Sequence, residues 1–318
     1  SRESGNTVAV RYYDRFRDRI IFPIRDSRGR TIAFGGRVLG DDKPKYLNSP
    51  ETPVFHKGAE LYGLFEAKKA NNKLKRILIV EGYMDVIALA QMGIRNSVAT
   101  LGTATSDRHL IRLFRLVPEV VFCFDGDNAG RTAAWRALEA SLSEMQDGRQ
   151  VKFLFLPEGE DPDTLVRKIG ETEFNLLIEK ATPLEQFFFD KLSEGLDIRT
   201  IEGRARLSNV AKPLIAKFPR GIYGQLMLDK LSETLGVASE SLDKLIDSQS
   251  KQSRGSSAPP PSPSPSSDHS SDHSSPLSEA ASYEPGFDQP SNSWSPSPKR
   301  TSSNLNIYRK PAAVKAIE

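Results

Sequence analysis

Three short, largely apolar runs in this chain are each followed by acidic residues and then by a segment with helical spacing of apolar residues. The runs extend from Arg76 to Val80, from Glu119 to Phe124 and from Val151 to Leu156. Apolar, β-branched or aromatic runs of this length are typical of strands buried on both faces. Repeated strand–loop–helix units predict a doubly wound α/β fold with a parallel sheet.

Acidic residues follow every one of these predicted strands. Glu81 comes after the first strand, Asp125 and Asp127 after the second, and Asp161 and Asp163 after the third. If the strands are parallel neighbours, these five carboxylates meet at the edge where open α/β sheets bind ligands. Carboxylates in such proximity repel one another unless cations neutralise them. All-oxygen acidic clusters suit Mg²⁺ or Mn²⁺, so a divalent-metal site is predicted here.

Each acid taken singly has an alternative role. Asp127 or Asn128 could cap the following helix, since short polar side chains at that position accept backbone N–H groups. Asp85, four residues past Glu81, is a weaker candidate ligand and is better explained by capping or by the helix dipole. Capping does not require carboxylates after every strand, however, so the five acids together favour a metal site.

The segment before the first motif is predicted to be a small mixed α/β domain over residues 1–65. The pattern predicts a hairpin in it, with strands at residues 20–24 and 31–34 joined by a turn at residues 26–29. Basic residues outnumber acids there, which favours a polyanionic partner. A solvated strand face is an equally good explanation of these arginines: Arg11, Arg15, Arg17, Arg19, Arg25, Arg28, Arg30 and Arg37.

The rest of the chain divides by composition. Residues 66–166 hold the strand–acid–helix units, residues 167–250 have the apolar stripes of a helical bundle, and residues 251–303 form a Ser/Pro tract predicted to be a disordered linker. Residues 304–318 are expected to begin a further, truncated unit. Cys123 is the only cysteine, which excludes a disulfide. No apolar run approaches a membrane span, and a reducing cytoplasm is expected.

Several of these segments resemble a known family. Residues 81–85, Glu-Gly-Tyr-Met-Asp, together with Asp-Gly-Asp at 125–127, resemble the Toprim signature shared by topoisomerases, some nucleases and bacterial primases. Residues 45–52, 55–58 and 61–63, with Arg37, resemble the basic motif region of bacterial DNA primases. The resemblance covers about residues 5–250 and joins motifs on both sides of the Toprim unit in family order.

The resemblance implies a fold and an activity. The fold would be a Toprim centre, a Rossmann-like parallel sheet, between an N-terminal mixed α/β subdomain and a C-terminal helical subdomain. The activity would be DNA-directed RNA synthesis of short primers, using two or more Mg²⁺ or Mn²⁺ ions. Glu81 and Asp125 would hold the first ion and Asp125 and Asp127 the second. Asp161 and Asp163 would complete the shell or act through water.

The resemblance also implies partners. Arg37, Lys45 and Lys57 would neutralise phosphates of the incoming ribonucleoside triphosphate or of the single-stranded DNA template, and Asn48 would add a hydrogen bond. The chain would be the RNA polymerase core of a primase, lacking the zinc-binding domain and the domain that binds the replicative helicase. A monomer at the bacterial replication fork, with no membrane contact, is expected.

Other functions use similar residues. A Toprim nuclease or topoisomerase would share the acids, although a topoisomerase also needs a nucleophilic tyrosine that the sequence does not single out. A fused primase-helicase would need a phosphate loop of the G-x-x-x-x-G-K-[ST] type, and no such string occurs. A non-catalytic single-stranded DNA-binding module, with a structural ion, is the remaining alternative.

Overall fold

The computed structural model describes residues 13–71 and 73–245. The contacts of the chain separate residues 1–259 from 260–318, and every described residue belongs to the first unit. The predicted Ser/Pro linker, the final segment from residue 304 and Arg11 all lie outside the described residues. Among the described helices, none has the length and apolarity needed to cross a lipid bilayer.

The N-terminal segment forms a three-stranded antiparallel sheet, which confirms the predicted hairpin. Its strands are β1 (Arg19–Arg25), β2 (Thr31–Val38) and β3 (Tyr46–Asn48), in that order. The hairpin turn forms because Asp26 Oδ1 accepts hydrogen bonds from the Arg28 and Arg30 backbone N–H groups, at 2.9 and 3.0 Å. Gly29 supplies the positive φ of 84° that this turn requires.

The acidic repeats form a five-stranded sheet with the order β5-β4-β6-β7-β8. Strands β4 to β7 are mutually parallel, and the three predicted strands are neighbours in it. A short antiparallel edge strand, β8, was not predicted, because residues after 171 have helical spacing throughout. The strands are β4 (Arg76–Val80), β5 (Ser97–Ala99), β6 (Glu119–Phe124), β7 (Gln150–Phe155) and β8 (Thr182–Pro183).

Helices α1 to α8 surround this sheet, a 3₁₀ turn follows α4 at Leu142–Glu144, and residues 239–245 form a further helical segment at the end of the described part of the chain. They begin and end as follows: α1 (Leu64–Ala70), α2 (Tyr83–Gln91), α3 (Asp107–Phe114), α4 (Asn128–Ser141), α5 (Pro162–Glu179), α6 (Leu184–Ser193), α7 (Ile201–Ile215) and α8 (Ile222–Leu235).

Both faces of the sheet are covered, as a parallel sheet requires. One apolar core joins the side chains of Ile77, Phe122 and Phe153 to helices α3, α4 and α6 to α8. The other joins Leu78, Val121 and Leu154 to α2 and α5. The buried strands therefore have no solvent-exposed face, which explains why their sequences are continuous apolar runs rather than alternating ones.

The helical region differs from the sequence prediction in two respects. Helix α5 crosses the boundary predicted after residue 166, with a kink at Gly170, where φ is +79°, and its second half packs on the same core as α2. Val210 and Leu226 belong to the apolar stripes of the predicted helical bundle, but their side chains are 47% and 61% exposed. Helical periodicity identifies one apolar face and does not distinguish core contacts from an exposed edge of that face.

The charges at the N-terminal edge of the large sheet are paired. Glu119, only 9% exposed, lies 3.3 Å from Arg76 Nε and 3.0 Å from Lys152 Nζ. Arg76 also pairs with Glu179 at 2.7 Å. Burying a charge without a partner is costly, so the opposite charges at this edge neutralise one another, as expected where charged groups have a structural role. At the opposite edge, where the strands end, some acidic side chains form no ion pair with another described residue.

Candidate active site

A pocket of about 420 Å³ lies where the small antiparallel sheet meets the carboxyl ends of β4 and β6. It brings together most of the residues predicted for the site, so two segments that are distant in the sequence form one cavity. Its lining residues with side chains able to bind ions or hydrogen-bond are Arg37, Lys45, Tyr46, Asn48, Glu81, Tyr83, Asp85, Thr100, Asp125, Asp161 and Asp163.

Glu81 and Asp125 are the two acids of this pocket without a partner. Within the described residues, neither carboxylate makes an ion pair or a side-chain hydrogen bond. Loss of hydration against the pocket walls raises the pKa of Glu81, and the charges of Asp125 and Asp127 raise it further. Burial likewise raises the pKa of Asp125, with added repulsion from Asp161 and Asp127. An added cation would relieve this repulsion.

Two other acids cap helices, the alternative role that the sequence left open for Asp127. Asp127 Oδ1 accepts the Gly130 backbone N–H at 2.7 Å at the start of α4, and Asp127 does not line the pocket. Asp161 Oδ1 accepts the Thr164 backbone N–H at 2.7 Å at the start of α5. A cap uses one carboxylate oxygen, which leaves the other available to a ligand.

Asp163 and Asp85 are also engaged within the protein. Asp163 forms an ion pair with Arg167, one turn further along α5. Asp85 Oδ2 accepts the Gly82 backbone N–H at 3.0 Å at the start of α2, which agrees with its expected capping role. Burial raises the pKa of Asp85 to about 7, and repulsion from Asp161, Asp125 and Asp163 acts in the same direction.

This raised pKa predicts a pH-dependent stability of the metal-free protein. Folded Asp85 holds a proton that the unfolded chain releases near pH 4, so its contribution is present below pH 4 and is lost as pH rises through about 7. We expect Asp85→Asn, which keeps an oxygen acceptor for Gly82 N–H, to raise the free energy of unfolding at pH 8 by on the order of 2 kcal/mol. The variant should differ little from wild type at pH 4.

Urea titrations in a chelating buffer at pH 4 and pH 8 would measure this difference. Asp243→Asn, a change at an exposed acid remote from the pocket in sequence, serves as the control. Equal pH dependence in wild type and Asp85→Asn would contradict the assignment of a proton to Asp85.

The basic side of the pocket comes from β2, which holds Arg37, and from Lys45, the residue before β3. Arg37 and Tyr46 face each other across the two strands, with the guanidinium carbon 5.9 Å from the ring centroid. Within the described part of the chain, the side chains of Arg37 and Lys45 make no ion pair, so both charges are available to an anion. Lys57 is not a lining residue; its backbone N–H donates to Glu51 at 2.9 Å on a neighbouring loop.

Asn48 has a structural role that the sequence did not indicate. Its Oδ1 accepts a hydrogen bond from the Tyr83 hydroxyl, and its Nδ2 donates to the Leu101 carbonyl at 2.9 Å. Asn48 thus links β3, the start of α2 and the loop after β5. Both polar atoms of its amide have partners, which leaves one amide hydrogen for the ligand contact predicted from the sequence.

Tyr83 is the residue at this site that sequence reasoning missed. Its ring stacks on Phe22 with centroids 5.3 Å apart, and Gly35 lies so close that a Cβ there would be 2.7 Å from the Tyr83 ring. The ring therefore joins the small sheet to the large one beside Glu81. A tyrosine within an acidic motif, two residues after the acid, was the available signal, but its partner residues are distant in the sequence.

The residue types at this site fit a hard divalent cation, although the described side chains are not pre-assembled around one. Among residues 13–71 and 73–245, no group of three or more Asp, Glu, His or Cys side chains is arranged to hold an ion. The fit rests on donor chemistry: Glu81 and Asp125 are unpaired oxygen donors facing one pocket, with like charges nearby. Small carboxylate movements would accompany ion binding.

Three family models match successive parts of the chain. Residues 4–68 match the N-terminal domain of the DNA primase catalytic core, and residues 78–166 match a Toprim-like domain. Residues 186–240 match the DnaB-helicase binding domain of primase. The expected absence of a helicase-binding domain is therefore wrong. Helical periodicity in this region predicts a helical bundle, but a stripe of apolar residues does not indicate which partner a helix surface binds.

Curated relatives and solved structures agree with these matches. The chain is 63% identical over 241 residues to the DNA primase of Pseudomonas aeruginosa, and 56% identical over 237 residues to that of Escherichia coli K12. These alignments cover 76% and 74% of the chain but only 36% and 41% of the relatives. The chain thus spans less than half the length of either relative.

Solved primase structures have the same fold. A crystal structure of a DNA primase domain from Pseudomonas aeruginosa matches with a TM-score of 0.73 and 62% identity, over 76% of both chains. A DnaG primase catalytic domain bound to single-stranded DNA matches with a TM-score of 0.69 and 55% identity, over 72% of this chain and 73% of that one. With its Toprim sheet, its N-terminal core domain and its helical region all matched in order, this chain belongs to the DNA primase family.

Proposed function

We propose that this chain is the part of a DNA primase that synthesises short RNA primers on single-stranded DNA. The observation that carries this proposal is a pocket lined by two acids, Glu81 and Asp125, and two cations, Arg37 and Lys45, none of which forms an ion pair with another described residue. An acidic side suits divalent ions, and a basic side suits a triphosphate. Nucleotidyl transfer requires both within one site. The single-stranded DNA in a related primase structure supports the template assignment.

In the proposed reaction, the 3′-oxygen of the primer end bonds to the α-phosphorus of the incoming ribonucleotide. The bond from that phosphorus to the pyrophosphate breaks, and the hydroxyl proton passes to water. Arg37 and Lys45 bind the triphosphate and hold its α-phosphorus near the acids. Tyr83 and Asn48 keep the small sheet, which carries Arg37 in β2 and whose strand β3 follows directly after Lys45, at a fixed position relative to Glu81.

Glu81 and Asp125 are the proposed primary metal ligands. Asp127 and Asp161 would contribute the carboxylate oxygen that their helix caps leave free, and Asp163 would act at the periphery because Arg167 already pairs with it. When bound, two Mg²⁺ or Mn²⁺ ions would make the 3′-hydroxyl a better nucleophile and offset charge on the leaving pyrophosphate.

The test of this function is incorporation of labelled ribonucleotides on a single-stranded template, with and without divalent ions. Primers that appear only with Mg²⁺ or Mn²⁺ and all four ribonucleotides would support it. Cleavage of the template with no RNA product would favour a Toprim nuclease instead. Template binding without either product would favour the non-catalytic binding module.

Lys45 and Lys57 provide a separate prediction, because only Lys45 lines the pocket. We expect Lys45→Ala to raise the KM for ribonucleotides by about tenfold, as loss of a phosphate-binding charge should, without changing the salt dependence of template binding. We expect Lys57→Ala to leave KM unchanged and to reduce the slope of log affinity against log salt by about 0.7, the loss of one single-strand phosphate contact.

Steady-state kinetics and fluorescence anisotropy at several salt concentrations would measure the two quantities. Lys217→Ala, a change in the helical region, is the control for a general loss of positive charge. If neither lysine variant changes either quantity, the basic residues are ordinary surface and the phosphate-binding proposal fails.

We also propose that the region 186–240 contacts the replicative helicase, as the matched family model suggests. Ile222 and Leu226, one turn apart on α8, have side chains 68% and 61% exposed and form an apolar contact surface. Ile222→Asp combined with Leu226→Asp should weaken binding to purified helicase by at least about tenfold, as for central apolar contacts. Val54→Asp, at a 67% exposed position outside this region, is the control. Unchanged binding would place the contact elsewhere.

A further inference from the structure

A second cavity adjoins the pocket described above at Glu81. It has a volume of about 260 Å³ and shares Glu81, Thr100 and Gly102 with the first pocket. Its floor is formed by the carboxyl ends of β4 and β6, and Ala133, Arg136 and Ala137 of α4 form one wall. The function proposed so far does not use this cavity.

The loop after β5 supplies three hydroxyl groups to this cavity. Thr100, Thr103 and Thr105 all line it, and none of their hydroxyls forms a hydrogen bond with another described residue. Ser106, the next residue, contrasts with them: its hydroxyl donates to the Gly58 carbonyl at 2.6 Å and accepts from the His109 N–H at 3.3 Å. The three threonines therefore retain free donors and acceptors beside a carboxylate.

This loop is fixed at both ends. The Leu101 carbonyl accepts from Asn48 Nδ2 at 2.9 Å, and the hydrogen bond of Ser106 holds the other end at Gly58. Ala99 pairs with Tyr62 through two backbone hydrogen bonds of 2.9 and 3.0 Å. Hydroxyls on a fixed loop lose little further freedom when they bind a ligand, which favours specific recognition.

The position of the cavity indicates which part of the substrate it would receive. In an in-line displacement, the attacking oxygen and the leaving pyrophosphate lie on opposite sides of the phosphorus. The pocket with Arg37 and Lys45 is the proposed site of the triphosphate. The adjoining cavity meets that pocket at Glu81, Thr100 and Gly102 and is lined by neither of those cations, so it is the position that the geometry leaves for the nucleophile. The nucleophile is the 3′-hydroxyl of a ribose, and the 2′-hydroxyl is attached to the adjacent carbon.

We propose that this cavity is a subsite for the 3′-terminal ribose of the growing primer, in which Thr100, Thr103 and Thr105 recognise the 2′-hydroxyl. This inference rests on the proposed function. A volume of about 260 Å³ suits one sugar and leaves the base outside, where it can pair with the template. Arg136 adds a single positive charge, which suits the phosphate that links the terminal ribose to the preceding nucleotide. A 2′-deoxy terminus would leave the hydroxyls without a partner.

The test compares two annealed primers that differ only in a 2′-hydroxyl at the 3′-terminal sugar. The wild-type protein should extend the ribose-ended primer with the higher kcat/KM. Thr100→Val, and the triple Val variant at positions 100, 103 and 105, should reduce this preference by up to about tenfold per hydroxyl lost, the value of one hydrogen bond. Valine keeps the branched shape of threonine, and Thr234→Val on α8 is the matched control, with the wild-type ratio expected.

Binding of the same two duplexes without divalent ions, measured by fluorescence anisotropy, separates this subsite from the proposed function. If the protein makes no RNA but binds the ribose-ended duplex more tightly, with loss of this preference in the triple variant, the proposed function fails and the subsite stands. If primers are made but the kcat/KM ratio is the same in the wild type and the triple variant, the subsite is overturned. Absence of any preference in the wild type would also overturn it.

Discussion

Replacing Asp125 by alanine should abolish primer synthesis while leaving the protein folded. Asp125 follows β6 at the centre of the parallel sheet, makes no ion pair within the described residues, and has a pKa raised by burial and by Asp161 and Asp127. As the proposed ligand shared by two ions, Asp125 should stabilise the transition state by about 4 kcal/mol, so we expect at least about a thousandfold loss of kcat/KM.

The same change should not destabilise the metal-free protein. Removing one of several like charges lowers their repulsion, so the midpoint of thermal unfolding in a chelating buffer should stay the same or rise. Primer synthesis and thermal unfolding are measured on the same preparation, with Asp243→Ala, at an exposed acid, as the control. More than about a tenth of wild-type activity in Asp125→Ala would contradict a shared metal ligand, since losing such a ligand costs several kcal/mol.

The second large effect is expected at Gly126, between Asp125 and Asp127. A Cβ at this position would lie 2.2 Å from the Leu156 carbonyl oxygen and 2.8 Å from the Glu158 backbone nitrogen. Backbone atoms cannot rotate away, and Leu156 is held by a 3.0 Å hydrogen bond from its N–H to the Phe124 carbonyl. Gly126→Ala must therefore separate the loops that follow β6 and β7.

We expect Gly126→Ala to lower the free energy of unfolding by about 3 kcal/mol, the upper range for overpacking. Primer synthesis should fall by at least about a hundredfold even below the unfolding temperature, because displacements of about 1 Å at a catalytic group have effects of this size. Gly40→Ala, where a Cβ would meet no atom within 4 Å, is the control and should change stability by less than about 0.5 kcal/mol. Wild-type stability and activity in Gly126→Ala would show that the two loops can separate without cost.

The sequence by itself determined the central sheet and the acids at its edge. Continuous apolar runs are required when both faces of a strand are covered, and a parallel arrangement brings the ends of β4, β6 and β7 to one edge. Glu81, Asp125 and Asp161 each follow one of these strands in the sequence, and they therefore line the same pocket in the structure. These inferences depend only on local periodicity and on the geometry of parallel strands.

Tertiary structure alone decided which polar groups remain free. Asp127 and Asp161 cap helices, and Asn48 is engaged by Tyr83 and Leu101, whereas Glu81 has no partner among the described residues. Hydrogen-bond partners distant in the sequence produce no periodic signal, so the composition of a motif cannot distinguish a free carboxylate from a capping one.

The helical region shows the same limit of prediction from local periodicity. The sequence placed Val210 and Leu226 on apolar stripes, but the packing of α7 and α8 leaves both exposed. The antiparallel strand β8 was likewise missed, since a strand of two residues is too short to show a period of two. Which apolar side chains are buried depends on how neighbouring helices and strands pack, and that information is absent from the periodicity of any one segment.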